Sequence, residues 1–372
     1  SNENLTGGPT ISGITTFSSP YFFVPPQGDT ASRPRSCPSG SLRFNTDSSK
    51  LEYYRGDTIG WVEIEASNEE LSQGAGTGSN TGLGTRAVFG GGGQGTPNFV
   101  NTISFLTIST LGNSQDFGDM TYRSQFPSRG CSSRSRGLFA GGYTNIGRKN
   151  HIDFITIAST GDAADFGDLT AARETAASGS NGTRGLFAGG FTNPNYQNVI
   201  DYVTIASTGD AVDFGDLSDA RSSVAVCNST RMVMRLSSRT TTEFVTMSTT
   251  GNSTDFGTIT STTGSASGDS STRGIFAGSA NSNIMEFITT ATLGNAIDFG
   301  DLTVARTNSA GTSSPTRMVI IGGGTGPSYP YTVVNTIDFV TIATTGNAVD
   351  FGDTENGHDT SAAALSNGHG GL

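Results

Sequence analysis

The chain has 372 residues, with 52 Gly, 22 Phe, 9 Tyr and a formal net charge of -11. Such an acidic surface repels a phosphate backbone, so nucleic acid is not an expected partner. No apolar run reaches the roughly 18 residues that suggest a membrane helix, so no membrane insertion is expected, and nothing at the N-terminus reads as a secretory signal.

Residues 1–66 differ in texture from the rest, with prolines clustered between Pro9 and Pro38. Ile11–Phe17 reads as an extended strand, and Tyr21–Pro26 as an apolar extended run too proline-rich for an inner strand. Gly40–Thr46, Lys50–Tyr54 and Gly60–Ile64 then read as a three-stranded meander. So small a module is not stable by itself, which points to attachment or oligomerisation. Residues 67–85 are Gly- and Ser-rich and read as a linker.

From residue 86 the chain repeats. Asp-Phe-Gly occurs six times, starting at Asp116, Asp165, Asp213, Asp255, Asp298 and Asp350. An Arg followed by a short apolar run precedes each copy, at Arg86, Arg136, Arg184, Arg231, Arg273 and Arg317, in steps of 50, 48, 47, 42 and 44 residues. Periods of about 40–50 residues belong to β-propeller blades. The unit 136–183 predicts four short strands: Arg136–Ala140 before the pair Gly141-Gly142, Ile152–Ala158, Ala163–Leu169, and Thr175–Ser178. Both faces of Ile152–Ala158 are largely apolar, as expected of a sheet packed between two neighbours. The prediction is an all-β chain: a six-bladed β-propeller with four-stranded blades over 86–372, plus a small N-terminal β segment.

The C-terminus repeats the end of a unit, since Ser366-Asn-Gly-His-Gly-Gly-Leu372 parallels Ser180-Asn-Gly-Thr-Arg-Gly-Leu186. Residues Thr360–Gly368 are therefore expected to form the strand that completes the blade begun at Arg86, as the outer piece of that sheet. The fourth unit is degenerate, because Arg231–Arg235 lacks the Gly pair and no later Arg follows.

These features resemble the kelch family: Gly141-Gly142 and Gly189-Gly190 after an apolar strand, then Tyr143 and Phe191, with Phe166 and Phe214 at the family's Trp place, and Arg173, Arg221 and Arg306 at its Arg place. Residues 40–64 resemble a segment of phage tail and fibre proteins, and Gly13–Phe17 resembles stem repeats of marine phage fibres. The Asp-Phe-Gly-Asp-Leu-Thr repeat is similar to repeats of marine cyanophage virion proteins. The resemblance implies a virion structural protein, a tail fibre or appendage. Residues 1–66 would join other virion proteins, as a homotrimer if on a fibre, and the propeller would contact host-surface glycan or neighbouring subunits. A capsid-decorating protein and a propeller glycosidase are the rival readings.

Little points to catalysis. Six copies of Asp-Phe-Gly at blade spacing, with no nucleotide signature, describe architecture rather than a kinase. In that reading Phe packs between blades and Asp holds a turn. Cys37, Cys131 and Cys227, with His151, His358 and His369, have neither disulfide nor zinc spacing, so no metal or other cofactor is expected. Paired acids such as Asp165 and Asp168 leave Ca²⁺ open. The repeated arginines are expected to tie neighbouring blades, with an anion-binding ring as the alternative. The loops after the Gly pairs are the candidate recognition surface: Tyr143, Arg148, Lys149, Phe191, Tyr196, Tyr329 and Tyr331, aromatics that suit stacking on sugar rings.

Overall fold

A computed structural model describes residues 25–48, 50–64, 85–93, 99–260, 265–279, 282–326, 331–355 and 362–372. The expected strand Ile11–Phe17, most of the 67–85 linker and Tyr329 lie outside them. The described elements are all β, and the chain divides into two compact units, 1–74 and 75–372.

In the first unit the meander forms as the sequence predicts. Leu42–Asn45, Lys50–Tyr54 and Trp61–Glu63 pair antiparallel, and Gln27–Gly28 adds a short parallel strand. Pro25 and Pro26 precede that strand, and the Pro26 carbonyl accepts the Phe44 N–H. Strand alternation sends Arg43, Asn45, Glu52 and Tyr54 to the buried face. There Glu52 accepts hydrogen bonds from Arg33 and Asn45. The Trp61 indole donates to the Pro34 carbonyl, and its ring packs against Tyr54. The opposite face carries apolar side chains, with Leu42 50% and Leu51 42% exposed.

The second unit contains six four-stranded antiparallel sheets. Sheet 1 runs Ala363–Ser366, Arg86–Gly90, Val100–Thr107, Gln115–Ser124. Sheet 2 runs Ser128–Ser132, Arg136–Ala140, His151–Thr156, Ala164–Asp168. Sheet 3 runs Ala177–Ser180, Arg184–Ala188, Val199–Thr204, Val212–Asp216. Sheet 4 runs Ser223–Cys227, Arg231–Leu236, Thr241–Thr246, Thr254–Thr258. Sheet 5 runs Ala266–Asp269, Arg273–Ser279, Ser282–Thr289, Ile297–Asp301, and sheet 6 runs Ala310–Ser313, Arg317–Ile321, Thr336–Thr341, Val349–Asp353.

One expectation needs correction here. The strand that ends each sequence unit does not join that unit's sheet. Ala177–Ser180 pairs with Arg184–Ala188 and opens sheet 3. The short Asn181-Gly182 turn explains this: it leaves only hairpin pairing with the strand that follows. The C-terminal strand obeys the same rule. Ala363–Ser366 pairs with Arg86–Gly90, with Leu365 opposite Val88, but as the first strand of sheet 1, at the edge opposite Gln115–Ser124, rather than as its outer piece. All four of its residues are buried.

The core lies between sheets. Phe166 and Leu169 of sheet 2 and the loop after it pack with Phe187, Val203 and Ile205 of sheet 3 and its flank. Equivalent clusters join sheets 1 and 2, 3 and 4, 4 and 5, 5 and 6, and then 6 and 1. Each Asp-Phe-Gly Phe is buried at 2–3% exposure, worth about 2–3 kcal/mol of apolar burial apiece. Its ring meets the edge of Phe105, Phe154, Tyr202, Phe244, Phe287 or Phe339. The guanidinium of the unit's opening Arg lies over the other side of that partner, 4.6–4.8 Å from its centroid.

Hydrogen bonds from backbone N–H groups link the last strands of successive sheets in the same order. Gly161 N–H donates to the Phe117 carbonyl and Asp119 N–H to Asp162. Gly209 and Asp210 repeat this on Phe166 and Asp168, and for the last sheet Gly112 N–H donates to the Phe351 carbonyl while Asn113 accepts from Asp353 N–H. The turn is thus held by the Asp or Asn after Thr-Gly or Leu-Gly, not by the Asp of Asp-Phe-Gly, which is exposed in the last strand of its sheet. The third residue of the motif has a spatial reason. A Cβ on Gly167, whose φ is +146°, would lie 2.5 Å from the Gly209 carbonyl oxygen.

Candidate functional site

Two places gather chemistry. The first is a ridge built by the hairpins after the Gly pairs. Positive φ at Gly141 and Gly142 turns the chain out of sheet 2, and Tyr143–Thr144 pairs with Gly147–Arg148. In sheet 3 Phe191–Thr192 pairs with Asn195–Tyr196 in the same way. Each hairpin also bridges back to the preceding sheet's exit, Tyr143 to Gln125 and Phe191 to Glu174. Side chains from successive sheets therefore stack. Phe99 meets the edge of Tyr143 with ring centroids 5.7 Å apart. The Arg148 guanidinium lies 5.3 Å from the Tyr143 centroid and 4.6 Å from that of Phe191. Phe191 packs on Tyr196 at 5.0 Å, and Arg221 lies 5.9 Å from Tyr196. Glu174 accepts from Arg148 at 2.8 Å. Its own carboxyl is held above the usual range by burial, which outweighs the Arg148 contact.

Four of the seven sequence candidates, Tyr143, Arg148, Phe191 and Tyr196, come together here. Lys149 is half-buried and joins through its backbone, whose N–H donates to Gly142. Tyr331 is half-buried beside the hairpin of sheet 6, which adjoins neither sheet 2 nor sheet 3. Sequence reasoning missed Phe99, Glu174 and Arg221 as members. Their membership depends on pairing between sheets, such as the bridge from Glu174 to Phe191, which no local sequence signal marks. The arginines divide. Arg173 and Arg306 are fully buried and pair with Asp201 and Asp338 of the next sheet at 2.7 and 3.0 Å, as inter-sheet ties. Arg221 turns outward to Asp219 at 3.2 Å. No convergent anion ring forms among them.

The second place is where the first strands converge. Their last residues, Ser132, Ser180, Cys227, Asp269, Ser313 and Ser366, occupy equivalent positions. Ser180 Oγ donates to the Ser132 carbonyl, Ser132 Oγ to Ser366, Ser366 Oγ to Ser313, and Ser313 Oγ to Asp269. A cavity of about 40 Å³ lies among these strands. It accommodates water or an ion, far below the roughly 300 Å³ of a small-molecule pocket.

The C-terminal tail crosses this ring. His369 Nε2 lies 3.0 Å from Ser180 Oγ and Nδ1 lies 3.6 Å from Cys227 Sγ. Gly370 N–H donates to Asp269 Oδ1 and Cys227 N–H to Oδ2, both at 2.6 Å. Burial raises the Cys227 thiol well above its ordinary value and lowers His369 below its own. Cys227, Asp269 and His369 thus form a buried trio whose ligand atoms lie within 4.8 Å of one another. Sequence spacing could not reveal it, since Cys227 and His369 are 142 residues apart.

The chain matches no protein-family model, and no curated protein matches it.

Proposed function

We propose that residues 86–372 are a six-bladed, kelch-like β-propeller, closed by its C-terminal strand, that recognises a glycan or a neighbouring subunit on a phage particle. The observation that carries the recognition reading is the ridge from Phe99 to Arg221. It presents Tyr196, 45% exposed, beside two guanidinium groups, an arrangement suited to stacking on a sugar ring and hydrogen-bonding its hydroxyls. The narrow axial cavity supports binding at the outer loops over turnover at the axis. The cyclic order of sheet contacts supports the propeller reading.

The virion reading rests on the resemblance of residues 40–64 and of the Asp-Phe-Gly repeat to phage proteins. The apolar outer face of the first unit, with Leu42, Leu51 and Ile64 exposed, supports attachment through residues 1–66. Subunit association through that face makes a homotrimer the expected assembly on a fibre.

Binding of host-surface polysaccharides by the full chain, measured calorimetrically, tests the recognition reading. Arg148→Ala and Tyr196→Ala should each weaken binding at least tenfold without lowering the unfolding midpoint of sheets 1–6. Unchanged affinity in both variants would remove the ridge from the binding site. Mass spectrometry of purified particles tests the virion assignment, which fails if the chain is absent from them.

A further inference from the structure

The ring of inner-strand termini is regular at four positions and irregular at two. Ser132, Ser180, Ser313 and Ser366 use small hydroxyls to tie one strand to the next. The adjacent positions hold Cys227 and Asp269. The tail sets His369 against them, and all three line the cavity. Asp269 still serves the strand ties, accepting the Cys227 N–H through Oδ2. Cys227 does not replace a serine in kind, because its thiol makes only a weak contact with the Ser180 carbonyl at 3.5 Å.

We propose that Cys227, Asp269 and His369 bind one divalent cation of borderline softness, zinc being the best fit, which staples the C-terminal tail across the axis. Three geometric facts carry this. First, the Cys227 Sγ–His369 Nδ1 separation is 3.6 Å, the edge expected of a tetrahedron with Zn–S of about 2.3 Å and Zn–N of about 2.0–2.1 Å. Asp269 Oδ1 stands 3.9 Å from Nδ1, and all three ligand atoms lie within 4.8 Å of one another, so an inward shift of the carboxylate supplies a third corner. Second, the ligands are already held in place. His369 Nε2 faces Ser180 Oγ and the Ser132 carbonyl at 3.0 and 3.4 Å, which leaves Nδ1 as the coordinating nitrogen. The Gly370 N–H fixes the carboxylate. Third, the cavity beside the trio has room for a water as fourth ligand.

Without metal, the Nδ1 lone pair accepts the Gly371 N–H at 3.1 Å. The cation takes that lone pair, and the amide of the Gly370-Gly371 pair turns away. On binding, the Cys227 S–H bond breaks, its proton leaves to solvent, and the thiolate forms the metal–sulfur bond. Thiolate and imidazole select zinc-like ions over calcium or magnesium, which prefer oxygen ligands.

The test uses the full chain without a polyhistidine tag, stripped with chelator and titrated with Zn²⁺ and with Co²⁺. One metal per chain is expected, with a thiolate-to-Co²⁺ charge-transfer band and tetrahedral visible bands. Cys227→Ser should abolish the charge-transfer band, and His369→Gln should weaken binding more than tenfold. Cys131→Ser should leave both unchanged. Wild-type protein showing no thiolate band, or the band persisting in Cys227→Ser, overturns the proposal. The wild-type spectrum decides the matter even if a variant fails to fold. Because the site is separate from the ridge, neither outcome depends on glycan binding.

Discussion

The ion pair between Arg173 and Asp201 joins sheet 2 to sheet 3 with both side chains at 0% exposure and a 2.7 Å separation. Asp201 also accepts from the Thr170 N–H and hydroxyl at 3.2 and 2.6 Å, and Arg173 donates to the Phe187 carbonyl. Burial lowers the Arg173 pKa, and Asp201 only partly offsets that, so the guanidinium depends on its partner. Asp201→Asn leaves a buried cation without a counter-charge, and breaking such a pair costs about 3–5 kcal/mol. Arg173→Met removes the cation but strands the carboxylate with only its Thr170 bonds, at similar cost. The double variant keeps the shape and removes both charges, so it should be more stable than the sum of the singles implies. Urea unfolding of all four proteins should give a coupling energy of about 1–3 kcal/mol. Additivity to within about 0.5 kcal/mol would refute the argument that this contact ties the sheets.

Other outcomes follow from the same contacts. Gly167→Ala combines backbone strain of about 1–3 kcal/mol with a collision against the Gly209 carbonyl. Gly209→Ala meets nothing within 4 Å and should cost distinctly less in thermal unfolding. Arg235, buried with Nε, Nη1 and Nη2 lacking hydrogen-bond partners and its pKa lowered to about 10 by burial, should tolerate replacement by Met far better than Arg173 does. In the first unit, the Arg33 hydrogen bond holds the Glu52 carboxyl below its ordinary 4.5. The stability it contributes is therefore complete above about pH 4.5 and lost as pH falls through the lower folded value. Glu52→Gln should flatten that acid transition in circular dichroism of this unit.

The sequence made the strands and their repeat legible because Phe, Gly and Arg recur where packing demands them. Phe166 is buried against sheet 3, Gly167 leaves room for the next turn, and Arg136 lies over Phe154. A period cannot show where one sheet ends, however, since any cyclic shift of the unit has the same spacing. Only the short turn at Asn181-Gly182 assigns Ala177–Ser180 to the following sheet. The same limit put Ala363–Ser366 on the wrong edge of the right sheet. Half of the ridge was legible from the aromatics after the Gly pairs. The rest depends on bridges such as Glu174 to Phe191, which no local pattern announces.

The fourth unit buries a different arginine. It lacks the later Arg that pairs in units ending at Arg173 and Arg306. Arg235 takes the position that Ala140 and Ala188 hold in sheets 2 and 3, and Glu286 of sheet 5 raises its pKa against the burial effect.

Amide hydrogen exchange of Ala363–Ser366 tests the proposed closed ring of six sheets most directly. These four residues, near the chain end, should exchange as slowly as Leu186–Ala188 in the middle of sheet 3, opening only on global unfolding. Exchange at the rate of a free tail, while sheet 3 stays protected, would contradict closure of sheet 1 by the C-terminal strand.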